Sequence, residues 1–230
     1  MIFLLTFIIT CFSIFFLDKE IAIHFSERYA TALQTNYLYY FLSPEKIHGI
    51  AKFITKFGEG YFPGILFVIF LFNKKYNKYA SGIFYSFMFS GLTVIILKYI
   101  FGRERPYYDW NPLHINGIIH NINNGNIFKS IFESFPSGHT ITIFALIGFL
   151  ITKVPIKKNI KFLIIILGIL VGFSRIILSY HWFSDVFMGG VLGFYIGRQV
   201  GLFSSPMDWF ENIKSNYLLN YQLKKSLKNH

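Results

Sequence analysis

The chain has 230 residues, 53% of them hydrophobic and only 14% charged, with a net charge of +11. So apolar a composition excludes an ordinary soluble fold and places the chain among single-domain membrane proteins. The lysine excess implies no nucleic-acid partner, because the lysines punctuate apolar runs instead of gathering on one polar face with interleaved aromatics.

A bilayer-spanning helix needs about 20 mostly apolar residues. Six runs approach this: 1–17, 57–72, 80–101, 138–152, 160–178 and 185–203, the first and fourth being short. The expected fold class is all-α, a polytopic membrane helix bundle of about six transmembrane helices forming one domain over 1–203. Nothing alternates over ten residues as a β-barrel strand would.

Run 1–17 has no basic residue ahead of it, and Leu17-Asp18-Lys19-Glu20 offers no small-residue cleavage site. It is expected to stay as a first helix. It holds the only cysteine, Cys11, which excludes an intrachain disulfide and a thiolate metal cluster. Segment 18–56 is too charged to span. Within it, Ile21, Phe25, Tyr29 and Leu33 recur at helical spacing opposite Glu20, Glu27 and Arg28, which predicts an interfacial amphipathic helix. Pro44 separates this from a second piece at about 46–57 that leads into the next span.

Lys98 falls near the end of the third run, and Arg105-Pro106 follows two helical turns later. An ionisable group inside a span costs about 2.5–3.5 kcal/mol at mid-membrane and is a functional candidate for that reason, although snorkelling of Lys98 and headgroup contacts for Arg103 and Arg105 would explain them structurally. Segment 102–137 reads as an outer loop, with Asn111-Pro112, Asn116-Gly117 and Asn124-Gly125 as turn signals. Pro136-Ser137-Gly138-His139 opens the fourth run. Ser137 could simply cap that helix, but free first-turn amides and the helix dipole also bind anions, with His139 beside them as acid or base.

Ser174-Arg175 closes the fifth run, His181 precedes the sixth, and Asp185 lies one helical turn beyond His181. A carboxylate at that spacing can hold one imidazole nitrogen protonated and aim the other outward as a nucleophile. Arg175 supplies a planar fork suited to phosphate oxygens. Glu59, His114, His120 and Glu133 read as solvated loop residues, and segment 204–230 as a basic tail on the inner surface.

Orientation follows from the loops. Segments 73–79, 153–161 and the tail after 203 hold eleven lysines, against nine Lys and Arg in the longer 18–56, 102–137 and 175–184. The lysine-dense side is expected to be cytoplasmic, with both termini inside and the three motifs on the outer face of an inner membrane.

These motifs resemble those of the type 2 phosphatidic acid phosphatase family, membrane lipid phosphatases that share their site with vanadium haloperoxidases. The pattern of Lys, six residues, Arg-Pro, then Pro-Ser-Gly-His, then Ser-Arg, five residues, His, three residues, Asp is matched without a departure. The resemblance is strong over about 80–203 and loose over 1–79. It implies that His181 attacks phosphorus to form a phosphohistidine, that Asp185 orients it, and that His139 serves the leaving oxygen and then the water. It implies phosphate binding by Lys98, Arg105, Arg175, Ser137 and Gly138. No carboxylate cluster able to hold a cation is visible, and three cations take over the charge compensation, so no metal or other cofactor is expected. The implied partners are the bilayer and a lipid phosphate: undecaprenyl diphosphate, phosphatidylglycerol phosphate, phosphatidic acid or a lipid A phosphate. A lipid phosphotransferase and a non-catalytic lipid-binding membrane protein are the alternatives.

Overall fold

A computed structural model describes residues 2–32, 44–123 and 129–203. Nine α-helices occur among them, and no strand: α1 (Ile2–Phe16), α2 (Asp18–Ala32), α3 (Pro44–Thr55), α4 (Tyr61–Phe72), α5 (Ala80–Phe101), α6 (Gly117–Asn123), α7 (Gly138–Lys153), α8 (Lys158–Ile177) and α9 (Phe183–Phe203). The all-α expectation holds, and each of the six apolar runs contains a helix. The Asn124-Gly125 turn, Leu33 and the basic tail lie outside the described residues.

Among the described residues, three helices qualify as spans by length and composition, Asn77–Phe101, Lys158–Ile177 and Phe183–Phe203. A fourth is possible if Glu45–Gly58 and Tyr61–Phe72, bent by 50°, count as one broken span. The count of six is therefore not reached on length: α1 has 15 residues and α7 has 16. At 1.5 Å per residue these reach about 22–24 Å, short of a hydrocarbon core of about 30 Å.

Helix α7 is the centre of the bundle, with Ile141, Ile143, Ala145, Leu146, Ile147 and Phe149 buried against α5, α8 and α9. The core continues into Ile83 of α5 and Val171 of α8. Phe7 and Phe15 of α1, Ile65 of α4, and Phe162 and Leu163 of α8 are exposed. Apolar side chains facing outward from helices whose backbones are internally bonded suit a hydrocarbon solvent.

The described residues of segment 102–137, expected as a loop, fold back onto the helix ends. Gly102, at φ 54°, takes the left-handed conformation that ends α5, and its N–H donates to the Lys98 carbonyl at 2.8 Å. Asn111 forms the expected turn by accepting the Leu113 N–H at 3.1 Å. Arg103 bridges to Ile115, and a 3₁₀ turn at Ser130–Phe132 leads to Pro136.

Candidate active site

Four helix ends and two links deliver the expected residues to one end of the bundle. Lys98 sits in the last turn of α5, Arg175 in the last turn of α8, and Ser137, Gly138 and His139 at the start of α7. Arg105 follows α5, its N–H bonded to the Ile131 carbonyl at 3.1 Å. His181 lies in the link between α8 and α9, and Asp185 in the first turn of α9. Lys98, Arg105 and Arg175 all lie within electrostatic reach of both His139 and His181.

His181 is buried, and its Nδ1 lies 2.7 Å from the Ser134 carbonyl oxygen. A carbonyl only accepts, so Nδ1 carries the proton and Nε2 keeps its lone pair. Burial, then Arg175, Arg105 and Lys98, hold this imidazole well below its ordinary value of 6.5, opposed by the bond to Ser134. The nucleophile candidate is therefore neutral at Nε2. Asp185 stands 3.6 Å from His181 Nδ1, longer than a hydrogen bond. Its Oδ2 accepts instead from the Ser134 hydroxyl at 2.5 Å and the Trp182 N–H at 2.9 Å, so its hold on His181 passes through Ser134.

The cations are held rather than free. Arg175 Nη1 donates to Thr55 Oγ1 at 2.8 Å, and the Tyr180 ring lies 4.6 Å from the Arg175 guanidinium and 6.0 Å from that of Arg105. One aromatic ring thus serves two like charges. Lys98 pairs with Glu133 at 3.3 Å. Among the described residues, two buried side-chain polar atoms have no hydrogen-bond partner: Nε of Arg105 and Nε of Arg175. Orphaned buried donors cost about 1–3 kcal/mol each, more when charged, unless a ligand accepts from them.

Ser137 does not cap α7 with its side chain; its Oγ accepts from Thr140 Oγ1 at 2.9 Å, and its N–H donates to the Asp185 carbonyl at 3.1 Å. The first-turn amides of α7 are left by helix geometry without intrahelical acceptors. Gly58, in the α3–α4 bend, packs so closely on His139 that a Cβ there would lie 2.8 Å from His139 Cβ.

Two expectations need correction. Glu133 is no solvated loop residue, since it is the partner of Lys98. The expected lack of a metal-capable cluster fails in the loop: Glu104, Asp109 and His114 bring ligand atoms within 4.8 Å of one another. His114 Nδ1 meets Asp109 and lies 3.5 Å from Glu104, while Asn116 donates to the other Glu104 oxygen. Sequence reasoning also missed Ser134, Thr55 and Tyr180, which occupy no recognisable motif, and treated Arg103 as a headgroup contact.

A family model for the PAP2 superfamily matches residues 79–205, more than half of the chain. The chain belongs to the PAP2 superfamily. All eight expected site residues lie inside the PAP2 match, whereas Thr55 and Gly58 lie outside it. The chain is similar to the probable lipid phosphate phosphatase 4 of Arabidopsis thaliana, 27% identical over 65% of this chain and 56% of that protein. It is also similar to the undecaprenyl-diphosphatase of Sulfolobus acidocaldarius, 26% identical over 65% of this chain and 67% of that protein. It spans little more than half of the plant relative. The crystal structure of a transmembrane PAP2-type phosphatidylglycerolphosphate phosphatase from Bacillus subtilis shares the fold, with TM-score 0.59 and 23% identity over 87% of this chain and 92% of that one.

Proposed function

We propose that this PAP2 chain is a metal-independent lipid phosphatase acting through a phosphohistidine, its single domain spanning 1–203. The observation that carries the reading is the pair of unpartnered guanidinium Nε donors, Arg105 and Arg175, beside an imidazole with a free Nε2. Phosphate oxygens satisfy those donors, and the same cations stabilise the charge spread over the equatorial oxygens in the transition state.

His181 Nε2 attacks phosphorus as the bond from phosphorus to the lipid oxygen breaks, and His139 protonates that departing oxygen. Water, deprotonated by His139, then attacks the phosphohistidine. The N–P bond breaks, inorganic phosphate leaves and His181 regains its lone pair. Lys98, Arg105 and Arg175 hold the phosphoryl oxygens, with the Ser137 hydroxyl and the Gly138 amide.

The loop-lysine asymmetry supports an outer-face site in an inner membrane, termini inside, with the substrate phosphate at headgroup level. The substrate class is a lipid mono- or diphosphate, among them undecaprenyl diphosphate, phosphatidylglycerol phosphate, phosphatidic acid and lipid A. The purified full chain in detergent should release phosphate from at least one of these in EDTA, and His181→Ala should release none. Full activity in that variant excludes the nucleophile named here; a phosphorylated acceptor in place of free phosphate indicates transfer.

A further inference from the structure

Asp18 stands at the α1–α2 junction, outside the family match at 79–205, in a stretch whose sequence suggests only a polar break after an apolar run. It is nevertheless fully buried at 0% exposure. Its Oδ1 accepts the Ser184 N–H at 2.9 Å, and its Oδ2 accepts from Ser184 Oγ at 2.5 Å and Arg103 Nη2 at 2.7 Å. A residue at the α1–α2 junction therefore caps the helix that carries Asp185.

Arg103, 1% exposed, uses all of its guanidinium donors here. Nε and Nη2 donate to the Pro112 carbonyl at 3.0 and 2.9 Å, Nη1 to Ser184 Oγ at 2.7 Å and to Asp185 Oδ1 at 2.5 Å, and Nη2 also to Asp18. The other oxygen of Asp185 holds the Ser134 hydroxyl, and the Ser134 carbonyl holds His181 Nδ1. An unbroken path of hydrogen bonds thus runs from Asp18 to the imidazole, alongside the Trp182 ring packed 5.4 Å from the Arg103 guanidinium.

We infer that Asp18 and Arg103 are positioning residues for the reaction proposed above, a buried relay through which the α1–α2 junction fixes Asp185, Ser134 and the aim of His181. Neither is among the residues proposed to hold the phosphate. Two carboxylates against one guanidinium also leave the relay with one net negative charge, placed to support the positive charge that His181 acquires when its Nε2 bonds phosphorus. A purely structural reason is weak, since buried ionic networks seldom stabilise more than apolar packing of similar volume. Burial first, against the pull of Arg103, raises the Asp18 carboxyl above its ordinary value, so an ionised Asp18 costs folding more than it would in water.

The relay predicts a specific kinetic signature. Asp18→Asn keeps the shape and an acceptor for the Ser184 amide but loses the charge, and Ser184→Ala removes only the hydroxyl link. In the full-length protein Asp18→Asn should lower kcat by about 10- to 100-fold while KM moves less than about threefold, because aim is lost and the phosphate cations are not. Ser184→Ala should lower kcat by about threefold or more. Both should melt within a few degrees of wild type. In an Asp185→Asn background the Asp18→Asn loss should shrink to about twofold or less, as it must if Asp18 acts through Asp185.

Orthovanadate affinity, measured by calorimetry, reports the aim of Nε2 without turnover and should fall about tenfold or more in Asp18→Asn. If wild type binds vanadate but releases phosphate from no lipid, the phosphatase reading fails, and the vanadate affinities alone decide the relay. A kcat and vanadate affinity within about twofold of wild type in Asp18→Asn overturns the inference. If Asp18→Asn does not fold, an unchanged kcat in Ser184→Ala overturns it and a threefold loss supports it.

Discussion

An imidazole with Nδ1 2.7 Å from the Ser134 carbonyl has its tautomer fixed by that contact, so the free nitrogen of His181 can only be Nε2. Its proton affinity is lowered by burial and by Arg175, Arg105 and Lys98. The folded value lies below the unfolded one, so the unfolded chain binds more protons between the two. Stability present above about pH 6.5 is therefore lost as pH falls through that window. Thermal melts in detergent should show a decline below about pH 6.5 that flattens in His181→Gln, which cannot titrate; equal slopes would assign the proton uptake to other groups. His139 depends on a different neighbour. A Cβ on Gly58 would lie 2.8 Å from His139 Cβ and 2.9 Å from its carbonyl oxygen. Gly58→Ala should displace His139 and lower kcat about tenfold, read by phosphate release; an unchanged kcat would mean the α3–α4 bend yields instead.

At the scale of elements, the site depends on how closely α7 and α9 approach, since one carries His139 and the other Asp185. Gly189, Gly193, Gly197 and Gly201 recur every four residues and are all buried. A Cβ on Gly197 would fall 1.8 Å from the Ala145 carbonyl oxygen, and one on Gly193 would fall 2.3 Å from that of Ile141. Backbone cannot rotate away as a side chain can, so the helices must separate. Gly197→Ala should destabilise by about 1–3 kcal/mol or more. Gly91→Ala in α5, where nothing lies within 4 Å, should be neutral or stabilising. Denaturation in detergent reads both, and a neutral Gly197→Ala would mean that α9 shifts freely. The three motifs were legible in the sequence because phosphate chemistry demands cations and imidazoles beside helix ends, and those types stand out in an apolar chain. Their supports were not. Asp18 acquires meaning only against Ser184, 166 residues away, and Ser134 is one serine in a loop. The span count is likewise not confirmed by length, because apolar runs mark helices but not where α1 and α7 end.

Taken whole, the molecule is polarised along its helices. Helix α5 runs from the Lys74, Lys75 and Lys78 segment to Lys98, α7 from Ser137 to Lys153, and α8 from Lys158 to Arg175. The lysine end is itself pinned, since Lys161 Nζ donates to the Ile151 carbonyl at 2.9 Å across the α7–α8 turn. Lys98, Arg105 and Arg175 therefore collect at one end and the lysine-dense segments at the other, and on the charge rule the second end is expected to face the cytoplasm. Cys11 is the only native thiol, so Cys11→Ser gives a clean background. Ser130→Cys, exposed near the site end, and Lys157→Cys, exposed at the other, then report the two faces. In spheroplasts of an expressing bacterium, a membrane-impermeant maleimide should label Ser130→Cys directly and Lys157→Cys only after permeabilisation. The opposite pattern would turn the site to the cytoplasm and exclude every substrate confined to the outer leaflet. Equal labelling of both without permeabilisation would show that the lysine asymmetry does not orient the chain.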